Sequence, residues 1–117
     1  MKRLKLDDIS NAPSLPVKEI EIPEWEATVL VTGLTKADTV EINELSEVEG
    51  VRDEVLFEKY LLLKGLKDPE FDNLEQIEEF YSKATPSIVD KVLIGIYRCM
   101  AWTKEDQANI ASQFPEQ

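Results

Sequence analysis

Residues 87–102 read SIVDKVLIGIYRCMAW, the most apolar run in the chain. Ile88, Val89, Val92, Leu93, Ile96, Tyr97 and Met100 recur at spacings of one, three and four, the stripe of a core-facing α-helix. Ile94, Cys99 and Trp102 add apolar residues off that stripe. A helix apolar on nearly all sides has to be covered on nearly all sides. The run therefore predicts a central helix, with cover drawn from its own chain or from a partner. Thr85 as cap and Pro86 at the first helical position set its start, giving a helix over 86–102.

Working backwards, Asp72 with Glu75 resembles a capping box and predicts a helix over 73–84. Its buried stripe is Leu74, Ile77, Phe80, Tyr81 and Ala84. A helix over 51–64 carries Val51, Val55, Leu56, Tyr60 and Leu63 on one face, with Phe57, Leu61 and Leu62 widening the apolar surface. Gly65 fits a left-handed stop after it, with Leu66 folding back. Thr35 and Asp38 predict the start of a helix over 35–48, whose apolar positions are Val40, Ile42, Leu45 and Val48. Gly50 divides this helix from the next, a continuous bent helix being the alternative. Thr103 and Asp106 repeat the cap-plus-acid pattern before a short last helix over 104–112, and residues 113–117 should fray.

Nearer the start the period changes. Val17-Lys18-Glu19-Ile20-Glu21-Ile22 alternates like a half-buried strand, and Ala27-Thr28-Val29-Leu30-Val31-Thr32 is rich in β-branched residues. Pro23 favours a turn between them. The prediction is a β-hairpin over 17–32 with Trp25 at or just past its bend. Two strands alone are marginal in water, so the hairpin has to lie on the helices or gain strands from another copy. Residues 1–15 mix charge with Ser, Asn and Pro and read as a mobile arm. The expectation is one domain over 16–112, mainly α (α+β), with four to five helices and an N-terminal β-hairpin.

The chain has 117 residues, 13 basic and 24 acidic, for a net charge of -11 with no histidine. That balance argues against binding nucleic acid phosphates or anionic membrane surfaces. Cys99 is the only cysteine, so no intrachain disulfide forms. The first residues lack the apolar segment of a signal peptide, and no run is long enough to span a membrane. The chain reads as cytoplasmic.

Catalysis has little to stand on. Without histidine there is no His-based base, triad or metal cluster. The many carboxylates fall where solvated helix faces are expected. Asp68 to Asp72 lacks the pattern of a calcium loop, and no glycine-rich phosphate loop exists among four glycines. No catalytic, cofactor-binding or metal-binding residue is expected. The apolar surplus is more informative: Leu61, Leu62, Leu66 and Phe71 are either core or, with Trp25 or Trp102, part of an exposed patch for a partner, and Trp25 is equally a plug that seats the hairpin on the helices.

Several segments resemble a family. Lys5-Leu6-Asp7-Asp8-Ile9, the hairpin through Pro23-Glu24-Trp25, and residues 29–35 (VLVTGLT) look like the start of the tail assembly chaperones of long-tailed bacteriophages and related prophages. Residues 61–71 (LLLKGLKDPEF) are similar to the helix-loop found there, as is the helix pair over 74–84 and 86–96. Tyr97-Arg98-Cys99-Met100-Ala101-Trp102 is bulkier than the family pattern at the close of that helix.

The resemblance implies a non-enzymatic chaperone needing no ATP. Such proteins bind the tape measure protein, keep it soluble and help tail tube protein polymerise around it, and they are absent from the mature virion. Many are made in a short form and a longer, frameshifted form, of which this chain would be the short one. The expectation is thus a self-associating, cytoplasmic tail assembly chaperone whose partner surface is drawn from Trp25, Leu61, Leu62, Leu66, Phe71 and Trp102. Two alternatives are a structural phage protein of the head-tail junction or tail, and a small acidic bacterial adaptor.

Overall fold

The computed structural model describes residues 2–100. Trp102 and the expected helix and tail beyond it lie outside the described residues. Among the described residues, five helices and a small antiparallel sheet make an α+β fold, and the N-terminal hairpin is its first sheet element.

The hairpin pairs β1 (Val17–Ile22) with β2 (Ala27–Thr32) in antiparallel register, Val17 opposite Thr32 and Ile22 opposite Ala27. A 3₁₀ turn, Pro23–Trp25, joins them, and the Glu26 N–H donates to the Pro23 carbonyl at 3.1 Å. A third strand, β5 (Leu66–Asp68), pairs with the other edge of β2, so the chain supplies the extra strand itself. The strand order β1-β2-β5 leaves β1 at an edge.

The last described helix, α5 (Pro86–Cys99), lies across one face of this sheet. Thr85 caps it by accepting from the Ile88 N–H, with Pro86 in the first turn. Ile88, Val89, Val92, Leu93, Ile96, Tyr97 and Cys99 are all buried. Gly95 faces the sheet, where a Cβ would lie 2.9 Å from Ile20 Cγ1 and 3.2 Å from Val31 Cγ2. The helix ends at Cys99, three residues before the expected boundary, and the Met100 N–H closes the last turn on the Tyr97 carbonyl.

Helix α3 (Glu54–Gly65) packs beside α5. Asp53 caps it by accepting from the Leu56 N–H at 3.0 Å. Its interior face is Phe57, Leu61 and Leu62, with Val55 exposed, so the expected stripe through Val51 and Val55 is rotated away from the true one. Gly65 is the last residue of the helix, and Leu66 after it is extended rather than folded back. The physical reason for glycine here is close approach. A Cβ on Gly65 would lie 2.7 Å from Ile96 Cγ1, inside van der Waals contact. Helix α4 (Leu74–Lys83) starts one residue later than the Asp72–Glu75 pattern suggests. Asn73 accepts from the Gln76 N–H, and the Gln76 side chain accepts from the Asp72 N–H.

The segment between the hairpin and α3 departs most from expectation. Helix α2 (Lys36–Leu45) begins on the predicted Thr35–Asp38 capping box, each side chain bonding the other's backbone N–H. It stops at Ser46, whose buried hydroxyl donates to the Ile42 carbonyl at 2.6 Å. Residues expected to extend the two helices instead form a tiny antiparallel pair, β3 (Glu47–Val48) with β4 (Val51–Arg52). Glu49 and Gly50 make its two-residue turn with φ of 52° and 81°, the doubly left-handed turn that suits hairpin twist. Helix α1 (Leu6–Ser10) lies within the stretch expected to be a mobile arm, and none of its residues is buried.

Glycine suits a left-handed turn position and glutamate does not, since its Cβ crowds the following carbonyl. Glu49→Asn should therefore raise unfolding free energy by about 0.5–1 kcal/mol, and Gly50→Ala should lower it by about 1 kcal/mol. Urea denaturation of the two variants measures both signs.

Candidate functional site

The hairpin bend builds an aromatic corner. Pro23 fixes the entry to the 3₁₀ turn, which presents Trp25 toward α4. The Trp25 ring meets Phe80 edge-on, with centroids 5.7 Å apart and planes at 89°, the favoured T-shaped geometry. Phe71 lies 6.1 Å from Phe80 on the loop before α4. Lys91 on α5 donates to Glu24 at 3.1 Å and ties the turn to the central helix. The Glu24 carboxyl is held below its ordinary pKa by its own backbone N–H and then by Lys91. Trp25 remains 42% exposed, so one part of its ring seats the hairpin on α4 and another part faces solvent.

The other expected partner residues fare differently. Leu61, Leu62 and Leu66 are 1%, 0% and 3% exposed. They pack in the core with α5 and the sheet, so they cannot meet a partner in this conformation. Phe71 is half-buried against the core. Trp102 lies outside the described residues. Of the six, the structure therefore brings together Trp25 and Phe71, through Phe80.

The exposed apolar side chains lie elsewhere. Leu45, at the end of α2, Val48 and Val51 on the two tiny strands, and Val55 in the first turn of α3 are all exposed, Val51 by 70%. Val48 and Val51 stand directly opposite each other and so share a face. Arg52 braces the turn from behind, bonding Glu54 through two guanidinium nitrogens at 3.0 Å and Asn43 at 3.1 Å. The signal that marks these residues in the sequence is the Glu49-Gly50 pair, which breaks the helical register and sends Val48 and Val51 outward. Leu6 on α1 is also exposed, by 85%.

Titratable groups gather where α3, α4 and α5 meet. The Tyr81 hydroxyl donates to Glu58 Oε1 at 3.2 Å, and the Lys59 ammonium lies 5.2 Å from the Tyr81 ring centroid. Burial pushes the Glu58 carboxyl above its ordinary value; the Tyr81 hydrogen bond opposes this and the Asp90 charge adds to it. Tyr81 is raised to about 12, by burial first and by Glu58 second. Burial also raises the Cys99 thiol, whose Sγ donates to the Val31 carbonyl at 3.8 Å inside the core. A protonated, enclosed thiol is a packing group rather than a nucleophile. Among the described residues, no group of three or more His, Cys, Asp and Glu side chains is arranged to hold a metal ion. No described helix is long and apolar enough to cross a membrane.

Family models, curated proteins and solved structures contain no match to the chain.

Because the folded-state pKa of Glu58 lies above its unfolded value, the folded state holds that proton more tightly. The associated stabilisation is full at acid pH and is lost as pH rises through the folded pKa. Glu58→Gln keeps an acceptor for Tyr81 and removes the charge. It should raise the melting temperature at pH 7, with the gain shrinking to nothing as the pH falls and Glu58 becomes protonated in both the folded and the unfolded state. Thermal scans across that range test the sign.

Proposed function

We propose that the chain is a tail assembly chaperone of a long-tailed bacteriophage or prophage, acting in the host cytoplasm on the tape measure protein. The observation that carries the reading is the apolar surface left uncovered on a strongly acidic domain. Leu45, Val48, Val51 and Val55 cluster along the chain around one small turn, and Trp25 is half in solvent at another. Isolated exposed leucines and valines are ordinary, but a set gathered at one turn suits a binding surface. The net charge of -11 keeps a protein with such a surface soluble. The class of partner comes from the segments that resemble the tail assembly chaperones, residues 5–9, 17–35 and 61–96.

In this reading the chaperone offers temporary apolar cover to an amphipathic helix, in the manner of helix-in-groove recognition. The contact surface centres on the exposed valines and Trp25, since Leu61, Leu62 and Leu66 are committed to the core. Binding needs no nucleotide or metal, and release follows when tail tube protein polymerises over the tape measure protein. Self-association of the chaperone belongs to the same proposal.

Co-expression with the tape measure protein of the same phage or prophage tests this. The soluble fraction of the tape measure protein should rise several-fold and the two should elute together. Val48→Asp with Val51→Asp should abolish the gain while circular dichroism shows a folded domain. Unchanged solubility and separate elution would refute the proposal.

A further inference from the structure

The most exposed large apolar side chains among the described residues fall into two groups. One surrounds the turn between α2 and α3, where Leu45, Val48, Val51 and Val55 stand in solvent. The other is the arm before the hairpin, where Leu4, Leu6 and Ile9 are exposed and no residue of α1 is buried.

The two groups differ in charge. Residues 44–54 carry five acidic side chains, Glu44, Glu47, Glu49, Asp53 and Glu54, and one basic, Arg52. Arg52 is held by Glu54 and Asn43 on the face opposite Val48 and Val51. The next cations on α3 are committed elsewhere, Lys59 to Glu78 and Lys64 to Glu41. Glu44, Glu47 and Glu49 make no ion pair among the described residues. Paired strands lie about 5 Å apart, less than the Debye length of about 8 Å at physiological salt. Carboxylates behind the ribbon therefore still act on a segment laid over Val48 and Val51. In the arm, Lys2, Arg3 and Lys5 surround Leu4 and precede Leu6. Asp8 is occupied by Lys2 and by the Lys5 N–H. Arg3 and Lys5 make no ion pair among the described residues. A second basic flank, at Lys91, Ile94 and Arg98 of α5, offers a single exposed apolar side chain, and its Lys91 is held by Glu24.

We infer that the arm of one copy of the chain docks on the Val48–Val51 turn of a second copy, with Leu4 and Leu6 on the valines and Arg3 and Lys5 among the unpaired glutamates. Charge complementarity selects this occupant. Turn against turn would set those carboxylates against each other, and arm against arm would do the same with the cations. The arm does not cover the turn of its own chain, since Leu4, Leu6 and Ile9 and the valines are all exposed. Each copy offers one arm and one turn, so the contact either repeats from copy to copy or is made twice in a reciprocal pair. The pairing uses the turn offered above to the tape measure protein, yet it rests on this chain's charges and exposure and not on that partner.

Analytical ultracentrifugation of the purified chain alone is the test. A contact this small is weak, so the average mass should climb above the monomer at concentrations on the order of 100 μM and fall back in about 0.5 M salt. Arg3→Glu with Lys5→Glu, and separately Val48→Ser with Val51→Ser, should each remain monomeric. All four positions are exposed, and circular dichroism checks that both variants fold. Mixed in equal amounts, the two variants should form pairs that grow no further, because one keeps its turn and the other its arm. Ile94→Ser with Arg98→Glu should associate like the unaltered chain. The inference is overturned by a monomer at every concentration up to about 1 mM, by association that neither variant weakens, by a mixture that stays monomeric, or by loss of association in the α5 variant. No tape measure protein enters the experiment, so its failure is distinct from a failure of co-expression.

Discussion

Everything in this fold hangs on how closely α5 can approach its neighbours. Two glycines set that distance. Gly95 lets the sheet reach the helix at Ile20 and Val31, and Gly65 lets α3 reach it at Ile96. A side chain at either place would drive apart surfaces packed at interior density, where even one added methyl group is felt. With the approach made, Ile22, Val31, Leu61, Leu62, Ile77, Ile88, Val92 and Ile96 all become nearly or wholly buried. Full burial of side chains of this size contributes about 1.5–3 kcal/mol each before the entropy of ordering is counted.

The sheet depends on that helix in turn. A lone hairpin is marginal in water, but this one is a three-stranded sheet backed by α5 on one face. Its bend is tied down twice, by Trp25 on Phe80 and by Lys91 on Glu24. The ion pair is partly exposed and contributes modestly; the aromatic contact and the buried strand residues do most of the holding. Because α3 and β5 occupy the β2 side of the sheet, the β1 side is left open. The free edge is a consequence of where the core was built.

Much of this was legible because local signals agreed with the global fold. The stripe from Ile88 to Tyr97 with its Thr85-Pro86 start, the Thr35–Asp38 box, and the alternation in β1 each had one strong interpretation. The misreadings have specific causes. Val51 and Val55 are four apart and mimic a helical face, yet Val51 belongs to a strand and Val55 points to solvent. What overrode the periodicity was Glu49-Gly50 in left-handed conformation, with Ser46 and Asp53 ending one helix and starting the next. Strand β5 is only Leu66–Asp68, too short to show a period. Gly65 looked like a helix stop because glycine so often is one; close packing uses the same residue for another reason. For Leu61, Leu62 and Leu66 the choice between core and partner surface stays open in the sequence, because an apolar surplus does not say which members face inward. Only the rotation of α3 about its axis decides that, and it turned Leu61 and Leu62 into core.

What the α5-centred core leaves over, among the described residues, is an apolar turn, a half-exposed tryptophan and an open strand edge on an acidic body. The claim beneath all of it is that α5 is the last element to come apart. Native-state amide exchange across a denaturant series measures this directly. Amides of residues 92–96 should exchange only through global unfolding, more slowly than those of α2, α4 or β1. Exchange of residues 92–96 by local opening, ahead of β2 and α3, would contradict it.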